Sequence, residues 1–137
     1  MLASKDEVRS QIYEDWGENP QSEICFAVLD YLLRVPIKNL LHITYGSLKK
    51  VVGQNYTNDD LLKAIQYLCG ERMNLLEMNF EIIENDENIF MLSKEEVKIA
   101  QETGQLIHPE TGKLVNNFKQ KVFVYFQPGS LVKSIAQ

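Results

Sequence analysis

Apolar residues return every three or four positions along most of the chain and switch to every second position near its middle. The first period is that of a helix with one buried face, the second that of a half-buried strand. Val8, Ile12 and Trp16 stand four residues apart with charges between them, which predicts an amphipathic helix over 4–16. Gly17-Glu18-Asn19-Pro20 ends it. Asn19 is a capping residue type, and Pro20 suits the first position of a new helix, where the missing amide hydrogen costs nothing. That second helix is predicted over 20–35. Ile24, Val28, Leu32 and Val35 form one stripe, and Cys25, Leu29 and Leu33 widen it. So broad an apolar face places this helix at the centre of the core. Pro36 stops it, because the residue before proline is pushed out of helical geometry.

Residues 37–43 are a connector or a short strand. Thr44 then caps a short helix reaching Val52, with Leu48, Val51 and Val52 inward and Gly53 at its end. Thr57-Asn58-Asp59-Asp60 opens a further helix, with acids in its first turn and Leu61, Leu62, Ile65, Leu68 and Cys69 on its inner face. Leu76, Met78, Phe80 and Ile82 alternate with Glu77, Asn79, Glu81 and Ile83, which predicts a strand. Asn85-Asp86-Glu87-Asn88 supplies a turn, and 89–92 returns as the partner strand. Ser93 and Glu96 have the spacing of a capping box and open a helix toward Gly104, with Val97 and Ala100 or Ile99 inward. Leu106-Ile107 and Leu114-Val115 flank His108-Pro109-Glu110-Thr111-Gly112-Lys113, a tight hairpin turn. A last strand is predicted over 121–127, with Val122, Val124 and Phe126 on one face and Phe123 and Tyr125 on the other. Pro128-Gly129 breaks it, and 130–137 is one helical turn or a loose tail.

The order helix, turn, helix, hairpin between Leu40 and Leu92, preceded by a long apolar helix, resembles the winged-helix superfamily. The resemblance maps the supporting helix to 20–35, the second helix to 47–52, the third to 59–71 and the wing to 75–92. It rests on the order and size of elements and covers about half the chain. The expected class is therefore α+β: a winged-helix domain at 19–93, an N-terminal helix at 1–18 and a small strand-containing extension at 94–137. Members of the superfamily bind other macromolecules far more often than they catalyse.

Composition sharpens this only in part. Hydrophobic residues are 45% and charged residues 24%, both ordinary for a folded domain. No apolar run approaches the roughly 20 residues that span a bilayer, and the start MLASKDEVRS lacks the pattern of a signal peptide. A cytoplasmic protein without membrane contact is expected. Cys25 and Cys69 each sit in an apolar helical pattern and read as reduced, buried thiols. The net charge of −5 is uneven: −4 over 1–35, +1 over 36–80 and −2 over 81–137. The mildly basic middle is the predicted helix-turn-helix.

In DNA-binding winged helices the third helix enters the major groove. With its apolar face inward, its exposed set here is Asp59, Asp60, Lys63, Gln66, Tyr67 and Glu71. The resemblance therefore makes Lys49, Lys50, Lys63, Gln66 and Tyr67 the candidate partner-binding residues. Asp59, Asp60 and the acidic wing tip at 84–88 oppose a phosphate backbone. They favour a regulatory or adaptor module that binds a protein partner, or a second copy of itself, over a sequence-specific DNA-binding regulator. Trp16 reads as core packing, and the N-terminal helix as a candidate dimerisation element. No catalytic role is expected. His42 and His108 have no metal-ligand spacing, and there is no C-x-x-C, no phosphate-binding glycine loop and no nucleophile turn. Hence no metal, no cofactor and no small-molecule substrate is expected.

Overall fold

A computed structural model of the chain describes residues 4–85 and 88–135. Asp86 and Glu87 of the expected turn lie outside the described residues. Helix α1 spans Lys5–Trp16 and is capped by Ser4, whose Oγ accepts from the Glu7 amide at 3.2 Å. Val8 and Ile12 are fully buried. Gly17, at φ 57°, ends the helix in a conformation that a side chain would strain.

Helix α2 spans Pro20–Arg34. Asn19 occupies its cap position but caps nothing. Its Nδ2 donates to the Trp16 carbonyl at 2.6 Å instead, so the side chain closes the preceding turn. Ile24, Cys25, Val28, Leu29 and Leu32 are buried, and α2 packs against α1 and against the next two helices. Val35 and Leu33, at the end of the expected stripe, are half-buried. Each fully buried aliphatic side chain contributes about 1.5–3 kcal/mol relative to exposure.

The connector after α2 is one turn of 3-10 helix, Ile37–Asn39, followed by buried Leu40 and by Ile43. Ile43 makes a single antiparallel bridge to Phe126. Helix α3 spans Tyr45–Val52, capped by Thr44 and closed by Gly53 at φ 91°. Leu48 is buried, while Val51 and Val52 are half-buried. Helix α4 spans Asn58–Leu68 and opens with a full capping box. Thr57 Oγ1 accepts from the Asp60 amide at 3.0 Å, and Asp60 Oδ2 accepts from the Thr57 amide at 3.3 Å. Leu61, Ala64, Ile65 and Leu68 are buried. Leu62, expected inward, is 48% exposed. The cause is geometric: at about 100° per residue, a face centred on 61, 65 and 68 turns position 62 toward the solvent side. Cys69 is half-buried rather than buried.

Strand β1 spans Leu76–Asn85, β2 spans Asn88–Leu92, and β3 spans Val122–Pro128. They form an antiparallel sheet in the order β2-β1-β3, so the last strand joins the hairpin's own sheet. Between β1 and β2, Phe80 faces Leu92, Ile82 faces Phe90 and Ile83 faces Ile89, with a bulge between Ile83 and Asn85. Helix α5 spans Lys94–Thr103, behind the capping box that Ser93 and Glu96 form. The short α6 spans Phe118–Lys121, a turn that periodicity does not reveal, and α7 spans Ser130–Ile135. The chain is α+β. Among the described residues no helix is long and apolar enough to cross a membrane.

Contacts divide the chain into two units, 1–77 with 126–137 and 78–125. The division expected at 18/19 and 93/94 follows the order of elements, whereas this one cuts across β1 and β3. Helices α1–α4 and α7 belong to the first unit. The second has its own core of Ile82, Leu92, Val97, Ala100, Leu106 and Val115, with Phe80, Phe118 and Val122 packed against it.

Within the first unit, β3 ends at a tight crossing. Gly129 donates its amide to the Leu75 carbonyl at 2.9 Å, and the Ser130 amide donates to Asn74 Oδ1 at 2.7 Å. A Cβ at 129 would lie 2.3 Å from the Asn74 carbonyl oxygen, which cannot move without breaking the crossing. Gly129→Ala is therefore expected to destabilise the protein by about 1–3 kcal/mol, the range for overpacking. Urea denaturation followed by circular dichroism reads this as a lowered midpoint.

Candidate functional site

The residues singled out in the sequence lie on α3 and α4. Lys49 and Lys50 are exposed in the last turn of α3. Lys63 and Gln66 are exposed on the outer face of α4. Lys63 does not stand alone there: its Nζ lies 3.2 Å from Asp59 Oδ2, one turn earlier. Both groups are more than half exposed, so the pair is weak, yet it offsets the positive charge a phosphate would meet. Asp60 is turned to the helix start by the capping box and is half-buried. The outer face of α4 thus presents Asp59, Leu62, Lys63 and Gln66, which is neither strongly basic nor strongly apolar.

Tyr67 belongs to a different cluster. Its hydroxyl donates to Asp15 Oδ2 at 2.5 Å, and Arg72 Nη2 meets the same oxygen at 2.5 Å. Gln11 Nε2 donates to Asp15 Oδ1 at 3.1 Å. Trp16 sets its ring edge-on to Tyr67, with centroids 5.5 Å apart. Trp16 is half-buried, and its Nε1 is buried without a hydrogen-bond partner among the described residues. Burial raises the Asp15 carboxyl pKa, but the hydrogen bonds from Tyr67, Arg72 and Gln11 outweigh it and hold the group below the usual carboxylate range. Burial first, and then the hydrogen bond to Asp15, push the Tyr67 phenol well above its ordinary value. Tyr67 is therefore engaged in fastening α1 to the end of α4, and its hydroxyl is not free to anchor a partner. Val8 and Ile12 of the same helix are fully buried, while Tyr13 is 53% exposed. Sequence spacing does not single out Asp15, because Tyr67 and Arg72 lie more than fifty positions away.

Cys25 is fully buried, and burial pushes its thiol up to about 12.

Among the described residues, the second unit holds the buried histidine, His108. His108 is 5% exposed. Its Nδ1 accepts from the amides of Glu110 at 3.1 Å and Thr111 at 3.3 Å, which leaves the ring proton on Nε2, 3.6 Å from Glu84 Oε1. Phe90 packs edge-on at 4.5 Å. The imidazole closes the 108–113 turn, whose two ends also meet through the His108 amide and the Lys113 carbonyl. Ile107 and Leu114 bridge just outside it, as a hairpin requires. Among the described residues no three His, Cys, Asp or Glu side chains lie close enough to hold a metal.

The same unit presents an open sheet edge. Strand β2 ends the strand order and pairs on one side only, with β1. Its sequence, Asn88-Ile89-Phe90-Met91-Leu92, carries no charge and no proline. Phe90 and Leu92 pair across from Ile82 and Phe80, on the side of the core. Ile89 and Met91 take the opposite face and are 50% and 66% exposed. On β3, Phe123 alternates with core-packed Val122 and is 46% exposed. The pattern Leu76-x-Met78-x-Phe80-x-Ile82 identified the strands, but nothing in the sequence tells which strand stays at the edge.

No protein-family model matches the chain, and neither a curated protein nor a solved structure matches it.

The Asp15 cluster makes a pH signature. A carboxyl held low in the folded state stabilises it above the unfolded value of about 3.9. That stability is lost as pH falls through the lower, folded value. The wild-type chain is therefore expected to lose stability on acidification below about pH 4 more steeply than Asp15→Asn. Thermal melts between neutral and acid pH check this. Equal slopes for both proteins would show that Asp15 is not held low.

Proposed function

We propose that this chain is a non-catalytic regulatory or adaptor module, built on a winged-helix core, that binds a protein partner through the free edge of its sheet. The observation that carries the reading is β2: an uncharged, proline-free edge strand whose outward side chains, Ile89 and Met91, are half or more exposed. Soluble proteins guard such edges with charge, proline, bulges or a covering element. Strand β2 carries neither charge nor proline, and the bulge in its pairing with β1 lies beyond Ile89, so 89–92 is a template for strand addition, in which main-chain hydrogen bonds give affinity and alternate side chains give specificity. In the winged-helix reading β1 and β2 form the wing, so the binding surface is the wing's edge. The groove-facing helix of the DNA reading is supported less well, because Lys63 is paired with Asp59 and Tyr67 with Asp15.

The test introduces a photoreactive residue at position 91 and identifies the protein cross-linked in the cells that make the chain. The purified partner is then titrated against the wild-type chain, an Ile89→Lys/Met91→Lys variant and a Lys49→Glu/Lys50→Glu variant. The expected outcome is a loss of roughly tenfold or more in affinity for the β2 variant, the size of a single anchor at an interface. Affinity should be unchanged for the α3 variant. Binding of random duplex DNA that Lys49→Glu/Lys50→Glu abolishes, and that Ile89→Lys/Met91→Lys leaves intact, would replace this reading by the DNA one.

A further inference from the structure

We infer that the unit formed by 78–125 binds a small amphipathic carboxylate in a cavity between the inner face of its sheet and helices α5 and α6. The site lies on the face of the sheet opposite Ile89 and Met91, so the inference goes beyond the β2 reading and does not depend on it.

The cavity has a volume of about 290 Å³. Phe80 of β1, Leu92 of β2, Val97 and Ala100 of α5 and Phe118 of α6 wall it, and each belongs to the apolar core of the unit or packs against it. The core of this unit therefore opens into a hollow. Apolar side chains that face a hollow lack partner atoms on one side and forfeit dispersion contacts. Water fills such a space poorly, because each molecule needs about two to four polar partners. An apolar guest restores the contacts. An apolar cavity of about 150 Å³ accepts benzene, so roughly twice that volume suits a guest with a body of about ten carbon atoms.

The rim adds a charge. Gln101, Lys119 and Val124 line the same cavity and are exposed, so they mark its mouth. Val124 shares its face of β3 with Val122, which packs against the core. Among the described residues Lys119 is the charged side chain of the lining, and the lining holds no carboxylate. An anionic head at the mouth meets the Lys119 ammonium and can accept from the Gln101 amide. A cationic head would meet like charge there. One lysine balances one negative charge, which a carboxylate carries and a phosphate monoester exceeds. Phe118, held against the core, keeps α6 and the neighbouring Lys119 at this position.

The test titrates the full chain with decanoate, hexanoate and decanol by isothermal calorimetry. Each methylene between hexanoate and decanoate should tighten binding by up to about fourfold, the effect of burying one CH2 group. Lys119→Glu, at an exposed position, should weaken decanoate by about fivefold, the size of one exposed ion pair, and leave decanol unchanged. Val124→Trp narrows the mouth and should abolish binding of both, with an unchanged circular dichroism spectrum. If that variant fails to fold, Lys119→Glu still decides. Methyl NMR locates the guest: decanoate should shift the resonances of Val97, Ala100 and Val122. Shifts confined to Ile89 and Met91 would place decanoate on the outer face of the sheet and overturn the site. So would an absence of decanoate binding up to its solubility limit. Decanol binding as tightly as decanoate, with Lys119→Glu without effect, would overturn the carboxylate assignment.

Discussion

Helix α2 cannot exist in water by itself with the face it carries. Ile24, Cys25, Val28, Leu29 and Leu32 cover more than one side of the cylinder, and all are buried. Such a helix requires neighbours on several sides, and it has them: α1, α3 and α4 all pack on it. The apolar faces of those neighbours follow from the same demand. Val8 and Ile12 of α1, Leu48 of α3, and Leu61, Ile65 and Leu68 of α4 are the complementary surfaces. The Asp15 cluster then fixes the angle of α1 by tying its end to Tyr67 and Arg72. Of the large apolar side chains on these helices, Tyr13 of α1 and Leu62 of α4 stay about half exposed.

The second unit is built differently. Its sheet is covered on one face by α5, through Val97 and Ala100, and holds Phe80, Ile82 and Leu92 inward. A sheet, unlike a helix, has edges whose backbone groups remain open to pairing. The α5 capping box and the His108 turn stiffen the surroundings of β2 without supplying that edge with a strand or a charge. Strand β2 therefore leaves an edge open to pairing beside the exposed side chains of Ile89 and Met91.

Much of this architecture was legible in the sequence, because the signals are local. Helix caps at Thr44, Thr57 and Ser93, the stop at Pro36, and the alternation from Leu76 to Ile82 each depend on residues within one or two turns. Boundaries fell close to those observed for the same reason. The misses are of two kinds. Leu62 and Asn19 were misplaced because a residue type has more than one local use: leucine at 62 lies just off the buried face, and asparagine at 19 bonds backward rather than forward. The bonds that tie Tyr67 and Arg72 to Asp15, and the bridge from Ile43 to Phe126, depend on contacts between distant positions. No spacing rule links Asp15 to Tyr67, or Ile43 to Phe126. The basic residues of α3 and α4 were readable as exposed, but the pairing of Lys63 with Asp59 and the commitment of Tyr67 to Asp15 were not weighed by composition alone.

The central claim is that the edge of β2 is covered by another protein chain in the working state. Amide hydrogen exchange over residues 88–92, read by mass spectrometry as chain concentration rises and again with any captured partner present, tests it most directly. Outward-facing amides of a free edge exchange fast, and those paired with a strand are protected. The account expects protection to appear across 88–92 on association, with exchange over α3 and α4 unchanged. Protection confined to α3 and α4, with 88–92 still exchanging fast in the bound state, would contradict it.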